Sequence, residues 1–303
     1  MKNTLRSLLS IFIPILLFSQ EPNWHNGDIA LFQWENSPFD NQIRNNIIEG
    51  FPLTVDEYQL KGKVRNLNKT LSDISGKNYR LVVIIGAQAT TPILRYLSKT
   101  PLILLSSPQR LDEIHKRFPT ITGVYPFASP EIQFNTIHAL IKDLKKIGVI
   151  YNPILSGIEV EMFEKGISDT SIKVIKNCIS NSKEIGTALH FMGDIDLLWL
   201  PSDPIYRDNK AMKTILHYSY KNKIPVFAPS REFVKKGALV TQEPSTISLE
   251  ILSIITSIIK GKDISEIQPR FPSGSLVINQ KAAKLIGIEI PVDIILSAEE
   301  IYK

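Results

Sequence analysis

Residues 147–201 read IGVIYNPILSGIEVEMFEKGISDTSIKVIKNCISNSKEIGTALHFMGDIDLLWLP, and the order of apolar and mixed stretches within them decides the fold. The run at 147–151 has the length and the Ile/Val content of a strand buried on both faces. Residues 157–166 carry apolar positions at helical spacing, and a strand at 173–178, a helix at 183–192 and a strand at 196–201 repeat the order. Strand and helix alternating in this way build parallel sheets with helices packed on their faces.

Working outward, a helix is predicted at 131–145 on the amino side, and a helix at 207–222 with a strand at 226–228 on the carboxyl side. An equivalent series comes before it, with strands at 29–34, 53–60, 81–85 and 102–105 and helices at 41–49, 64–75 and 91–97. Each series has the grammar of one doubly wound lobe, and the stretch 123–130 separates them. The tail adds a strand at 238–241, a long apolar-faced helix at 248–259, a short strand at 276–278 and a turn of helix before Pro291. The expected fold class is therefore α/β, with two doubly wound parallel-sheet lobes. Residues 21–124 and 239–272 are assigned to the N-terminal lobe, and 125–238 and 273–303 to the C-terminal lobe. A chain that passes between lobes more than once makes a hinge rather than a single flexible linker.

Composition agrees with a folded chain. Of 303 residues 43% are hydrophobic, and the mean hydropathy is close to zero, which excludes disorder. Residues 1–20 have a positive start at Lys2 and Arg6, an apolar run at 8–18 interrupted by Pro14, and Ser19 or Gln20 for cleavage, the pattern of an export signal peptide. The run is short for a membrane span. Two of the 35 basic residues lie in that leader, against 30 acidic residues, so the balance left is small. The basic clusters at 142–146 and 235–236 have no interleaved aromatics, and no nucleic-acid partner is expected. The single cysteine, Cys178, can form no internal disulfide and is expected to be a buried, inert thiol. No cysteine near the cleavage region offers a lipid anchor. The expected location is the periplasm.

Catalytic signatures are missing. Gly86-Ala87-Gln88-Ala89 has neither the glycine spacing nor the lysine of a phosphate loop. The five histidines stand singly, with no pair at metal-binding spacing, so neither metal nor cofactor is expected. No Gly-x-Ser-x-Gly elbow occurs, Ser202 has no base near it in sequence, and Asp194 with Asp196 reads as charge at a strand entrance. An enzyme is not expected. Loops at the carboxyl ends of parallel strands face a ligand crevice, where helix N-termini offer free N–H groups. Three such loops hold candidate binding residues: Trp34 and Ser37 at 34–40, Thr90 and Thr91 at 88–92, and Ser202 and Asp203 at 201–204, with Asp203 the natural partner of an ammonium group.

Three segments carry a family resemblance: 195–203 (IDLLWLPSD), 222–227 (NKIPVF) and 234–239 (VKKGAL). Together with the ending 277–291, they resemble the ABC-transporter substrate-binding family that includes tryptophan- and tyrosine-binding proteins. The amino half agrees more loosely, at 29–40, 86–92, 122–124 and 129–130. The resemblance implies the type I periplasmic-binding-protein fold: two lobes with three crossovers, closing on a small-molecule ligand that an importer's permease receives. It also implies an aromatic amino acid or a related flat solute, with Asp203 among the contacts, and we expect a monomer.

Two departures bear on the ligand. Tyr151-Asn152-Pro153 is followed by Ile154-Leu155-Ser156-Gly157, where the family has an Asn-rich loop. Ser245 stands where the family has an acidic residue on the hinge side of the cleft. An aromatic ligand is then expected between Trp34 and Phe127, with Tyr125 as the alternative to Phe127. A different role for the same fold is a periplasmic sensor or scaffold that signals to a partner protein. Neighbouring permease and ATPase genes, or a neighbouring histidine kinase gene, would separate the two.

Overall fold

The computed structural model of the chain describes residues 24–25, 27–74, 77–97, 100–105 and 110–303. The expected leader at 1–20 lies outside the described residues. The first lobe is built on apolar strands that can only be buried on both faces. In order these are β1 (Ile29–Gln33), α1 (Pro38–Glu49), β2 (Asp56–Gln59), α2 (Val64–Asp73), β3 (Leu81–Ile85), α3 (Ala87–Tyr96), β4 (Leu102–Leu105), α4 (Leu111–Arg117) and β5 (Ile121–Val124). The five strands are parallel in the order β2-β1-β3-β4-β5. Alternate residues of β1 and β3 point to opposite sides. Ala30, Phe32, Val82 and Ile84 pack with Leu67, Leu71, Ala89 and Ile93 from α2 and α3. Ile29, Leu31, Leu81 and Val83 pack with Ile43 and Ile47 of α1.

The second lobe follows with α5 (Pro130–Leu140), β6 (Lys146–Tyr151), α6 (Pro153–Gly166), β7 (Lys173–Cys178), α7 (Ile185–His190), β8 (Leu197–Trp199), a 3-10 turn (Pro204–Arg207), α8 (Asn209–Asn222), β9 (Val226–Phe227), α9 (Arg231–Lys236) and β10 (Val240–Pro244). After α10 (Ile247–Ile259) it is completed by β11 (Gly274–Asn279), α11 (Gln280–Ile286), α12 (Val292–Ser297) and β12 (Glu300–Tyr302). Its sheet runs β12-β11-β10-β9-β8-β6-β7, parallel except for the β10–β11 pair. On one face Trp199 stacks on Phe163 of α6 at 4.1 Å between ring centres, and on the other Ile150 and Leu198 meet α7 and α8.

The chain crosses between lobes three times: after β5, after β10 and before β11. The intervening α10 belongs to the first lobe, where Ile247, Ile251, Ile254 and Ile255 complete the core beneath α1. Hydrogen bonds tie the crossovers together. Tyr125 N–H donates to Arg270 O at 2.9 Å and Arg270 N–H to Gly123 O at 3.0 Å; Ser245 N–H reaches Ser273 O at 3.0 Å. Three strands of backbone joined side by side bend as one hinge.

Four expectations are corrected. Residues 239–244 were expected to begin the return to the first lobe, but β10 pairs with β9 and β11 in the second sheet, so the return starts only after Pro244. The helix expected to run to residue 145 stops at Leu140, because the carboxylate of Asp196 holds the backbone N–H groups of Lys145 and Lys146, both at 2.7 Å. The helix expected at 183–192 is a 3-10 turn at Ser182–Glu184 followed by the short α7. Cys178 is exposed rather than buried, because β7 is the edge strand of its sheet.

Candidate functional site

Parallel sheets open toward the carboxyl ends of their strands, and here β8, β9 and β10 all end beside the crossovers. A small cavity of about 10 Å³ lies at that junction. The first crossover contributes Phe127 and Ala128, the ends of β8 and β9 contribute Ser202 and Phe227, and β10 contributes Gln242. Gln133 of α5 and Glu159 of α6 form its polar floor.

Local sequence explains how these side chains are held. Asn152 caps α6 by accepting from Ile154 N–H, and Pro153 sits in the first turn, so the helix starts directly at the end of β6. Ser156, Glu159, Val160 and Phe163 then share its buried stripe. Glu159 is 2% exposed. Its carboxylate accepts Ser202 N–H at 2.8 Å and faces Ser202 Oγ at 3.4 Å. Burial, aided by the negative charge of Asp203 and opposed by the Ser202 hydrogen bonds, pushes its pKa up to about 8. Gln133 is fixed between two partners, accepting from Trp199 Nε1 at 2.8 Å and donating to Ala128 O at 2.8 Å. Gln242 donates to Thr136 Oγ1 at 2.7 Å, while its Oε1 is buried with no hydrogen-bond partner among the described residues. Gly274 of β11 permits this arrangement, since a Cβ there would lie 2.5 Å from Gln242 Oε1.

Phe127 and Ser202 thus line the cavity, and the other sequence candidates sit elsewhere. Asp203 is buried beside it, but both its oxygens are occupied: Oδ2 accepts from Asn152 N–H at 2.8 Å and Ser156 Oγ at 2.6 Å, and Oδ1 from Ile205 N–H at 3.0 Å. It straps the loop after β8 to the start of α6. Trp34 is buried in the first-lobe core, against the space that a side chain at Gly86 would need. Ser37 caps α1 by accepting Asp40 N–H at 3.0 Å. Thr90 is fully buried on α3, its Oγ1 without a partner among the described residues, and Thr91 occupies the same helix. Ser245 is exposed at the second crossover, with Oγ donating to Ser273 O at 3.3 Å. Phe127 also joins a hinge cluster in which Tyr125 stacks on Phe271 at 4.5 Å between ring centres.

The sequence reading missed Glu159, Gln133, Phe227 and Gln242. The signal in α6 is weak: Glu159 shares the helical spacing of Ser156, Val160 and Phe163, but the helix also carries Glu161 and Glu164.

At the rim the lobes also meet through charge. Arg110 of the first lobe bonds Glu161 of α6 at 3.0 Å while holding Asp112 and Glu113 on its own side. Asp40, at the start of α1, has its pKa raised by burial and by Glu35, against the opposing pull of Ser37 and of Arg207 from the second lobe. Among the described residues no cluster of three or more His, Cys, Asp or Glu could hold a metal, and no helix is long and apolar enough to cross a membrane.

Two parallel-sheet lobes hinged by three hydrogen-bonded crossovers, with a polar-floored cavity at the strand ends of the second lobe beside those crossovers, define a binding protein of the type I periplasmic fold. The chain belongs to the ABC transporter substrate binding protein family, whose model matches residues 44–302. No curated protein matches it in sequence. Among solved structures it is similar to the ABC domain from Streptococcus pneumonia in complex with L-Trp, with a TM-score of 0.67 and 21% identity over 91% of this chain and 99% of that one. The ligand-free, open form of a substrate binding protein with adhesive properties from Clostridium difficile gives 0.71 and 18%, with the same coverage of 91% and 99%. The periplasmic binding ribose operon repressor protein from Lactobacillus acidophilus gives 0.55 and 13% over 82% and 97%.

Proposed function

We propose that this chain is the extracytoplasmic solute-binding subunit of an ABC importer, exported by its leader into the periplasm, and that it captures a small flat solute, such as an aromatic amino acid, in the cleft between its lobes. The observation that carries the reading is the cavity at the hinge, where Phe127 and Phe227 supply apolar faces beside the polar groups of Glu159, Ser202 and Gln242. An aromatic surface with a few fixed polar groups suits a solute with a ring and a polar end. Opening about the crossovers would enlarge the cavity to admit it, and closure would bury it and present one shape to a permease. In this reading Phe127 provides the aromatic contact, and Trp34 supports the first lobe from its core.

The test is a thermal-shift comparison of tryptophan, tyrosine, phenylalanine and leucine on wild type, Phe127→Ala and Trp34→Ala. An aromatic amino acid should stabilise wild type most, and the shift should fall in Phe127→Ala but persist in a less stable Trp34→Ala. A larger shift with leucine than with every aromatic would refute the aromatic assignment.

A further inference from the structure

We infer that the buried Glu159 carboxyl, which shares the cavity wall with the unpartnered Oε1 of Gln242, is the seat for a protonated amino group of the solute. The inference rests on the solute-binding reading and adds the chemical class of the ligand. Asp203, the carboxylate that sequence alone offers for this role, has no open oxygen facing the cavity that is not already bonded: Asn152, Ser156 and Ile205 use both of them. Glu159 also has a partner on each oxygen, Ser202 N–H on Oε2 at 2.8 Å and Ser202 Oγ facing Oε1 at 3.4 Å, but unlike Asp203 it lines the cavity.

The groups around it supply no positive charge. Ser202 and Asp203 face it from the loop after β8, Gln133 from α5 and the phenol of Tyr206 from the 3-10 turn. Asp203 and Tyr206 are the titratable ones, and ionising either adds negative charge. On the same wall Gln242 Oε1 is a second acceptor, buried and without a partner among the described residues. Once Glu159 is ionised, its carboxylate and Gln242 Oε1 are two acceptors on one wall, which suits a group bearing several N–H bonds and a positive charge. An ammonium ion is such a group.

The proton balance follows from burial. In the empty cleft Glu159 is held as the neutral acid at pH 7, since burial disfavours its ionised form. An ammonium group at hydrogen-bond distance reverses the preference, the carboxyl O–H bond breaks and the proton passes to buffer. About one proton is released per solute bound at pH 7, and affinity rises with pH until Glu159 is ionised in the free protein.

The experiment is isothermal calorimetry at pH 7 in phosphate and in Tris, whose ionisation enthalpies differ, on the full chain and Glu159→Gln. The probes are L-tryptophan, tryptamine, indole-3-propionate, L-leucine, 4-methylpentanoate and putrescine. The amine-bearing members should bind at least tenfold more tightly than their partners without the amine, with proton release near one. Glu159→Gln should remove the release and at least tenfold of the affinity. The wild-type buffer comparison needs no variant and decides the matter even if the variant fails to fold. Binding of indole-3-propionate as tight as that of L-tryptophan, without proton release, would overturn the inference while leaving the aromatic reading intact. Binding confined to leucine or putrescine, with release, would sustain Glu159 and defeat the aromatic reading. Absence of binding by every probe would overturn both.

Discussion

Replacing Glu159 with Gln should flatten the pH dependence of stability. The Gln variant keeps an oxygen for Ser202 N–H and nearly the same volume, so it removes the titration with little change in packing. In the folded protein Glu159 takes up its proton at about 8, against an ordinary value of 4.5. The folded state therefore holds a proton that the unfolded chain has already released between those values. The corresponding stability is fully present below pH 4.5 and is lost as pH rises toward 8. Each tenfold difference in proton affinity is worth about 1.4 kcal/mol, so wild type should lose about 2 to 5 kcal/mol more than Glu159→Gln across this window. Urea unfolding at pH 5, 6.5 and 8, followed by near-ultraviolet circular dichroism, measures it. Stability curves for the two proteins that stay parallel from pH 5 to 8 would refute the claim that the cleft floor holds a neutral acid.

Asp203→Ala should cost about 3 kcal/mol in stability, because it strands the buried N–H groups of Asn152 and Ile205 and the hydroxyl of Ser156; a drop in melting temperature without ligand is the readout, and an unchanged one would return Asp203 to the role of a free ligand contact. Gly274→Ala should push Gln242 from its place and cost about 1 to 3 kcal/mol, with solute affinity falling alongside; a variant that melts and binds like wild type would show that the close approach is not needed. Arg110→Ala should weaken closure by no more than about 1 kcal/mol, since Glu161 is well exposed; the effect on solute affinity should shrink as salt is raised, and a salt-independent loss would point to packing instead.

Much of the fold is legible in the residues themselves. Leu81–Ile85 and Leu102–Leu105 are unbroken apolar runs of strand length, and no other element could bury them. The tail is harder to read because pairing is a tertiary property. Nothing in residues 240–244 says that they bond to β9 and β11 rather than to a first-lobe strand. Cys178 ends a strand of ordinary appearance, and only its place at the sheet edge exposes it. Ile141 to Lys145 could continue a helix by composition, but a carboxylate some fifty positions away captures the backbone there.

The cleft is legible by location and less so by residue. The first crossover brings Phe127 to it and the loop after β8 brings Ser202. Asp203 has the chemistry of a ligand contact, yet a buried carboxylate next to two free backbone N–H groups is drawn to them first. Glu159 does not stand out in a helix with several acidic residues, since exposure, not identity, separates it from Glu161 and Glu164.

The most direct test of a solute-binding cleft is native mass spectrometry of the full chain purified from its own cells without refolding. The account predicts a one-to-one complex with a small molecule that carries a ring and an amine, released on mild activation. A protein that leaves the cell with no bound molecule, and that gains none on incubation with aromatic, aliphatic and polyamine solutes, would contradict it.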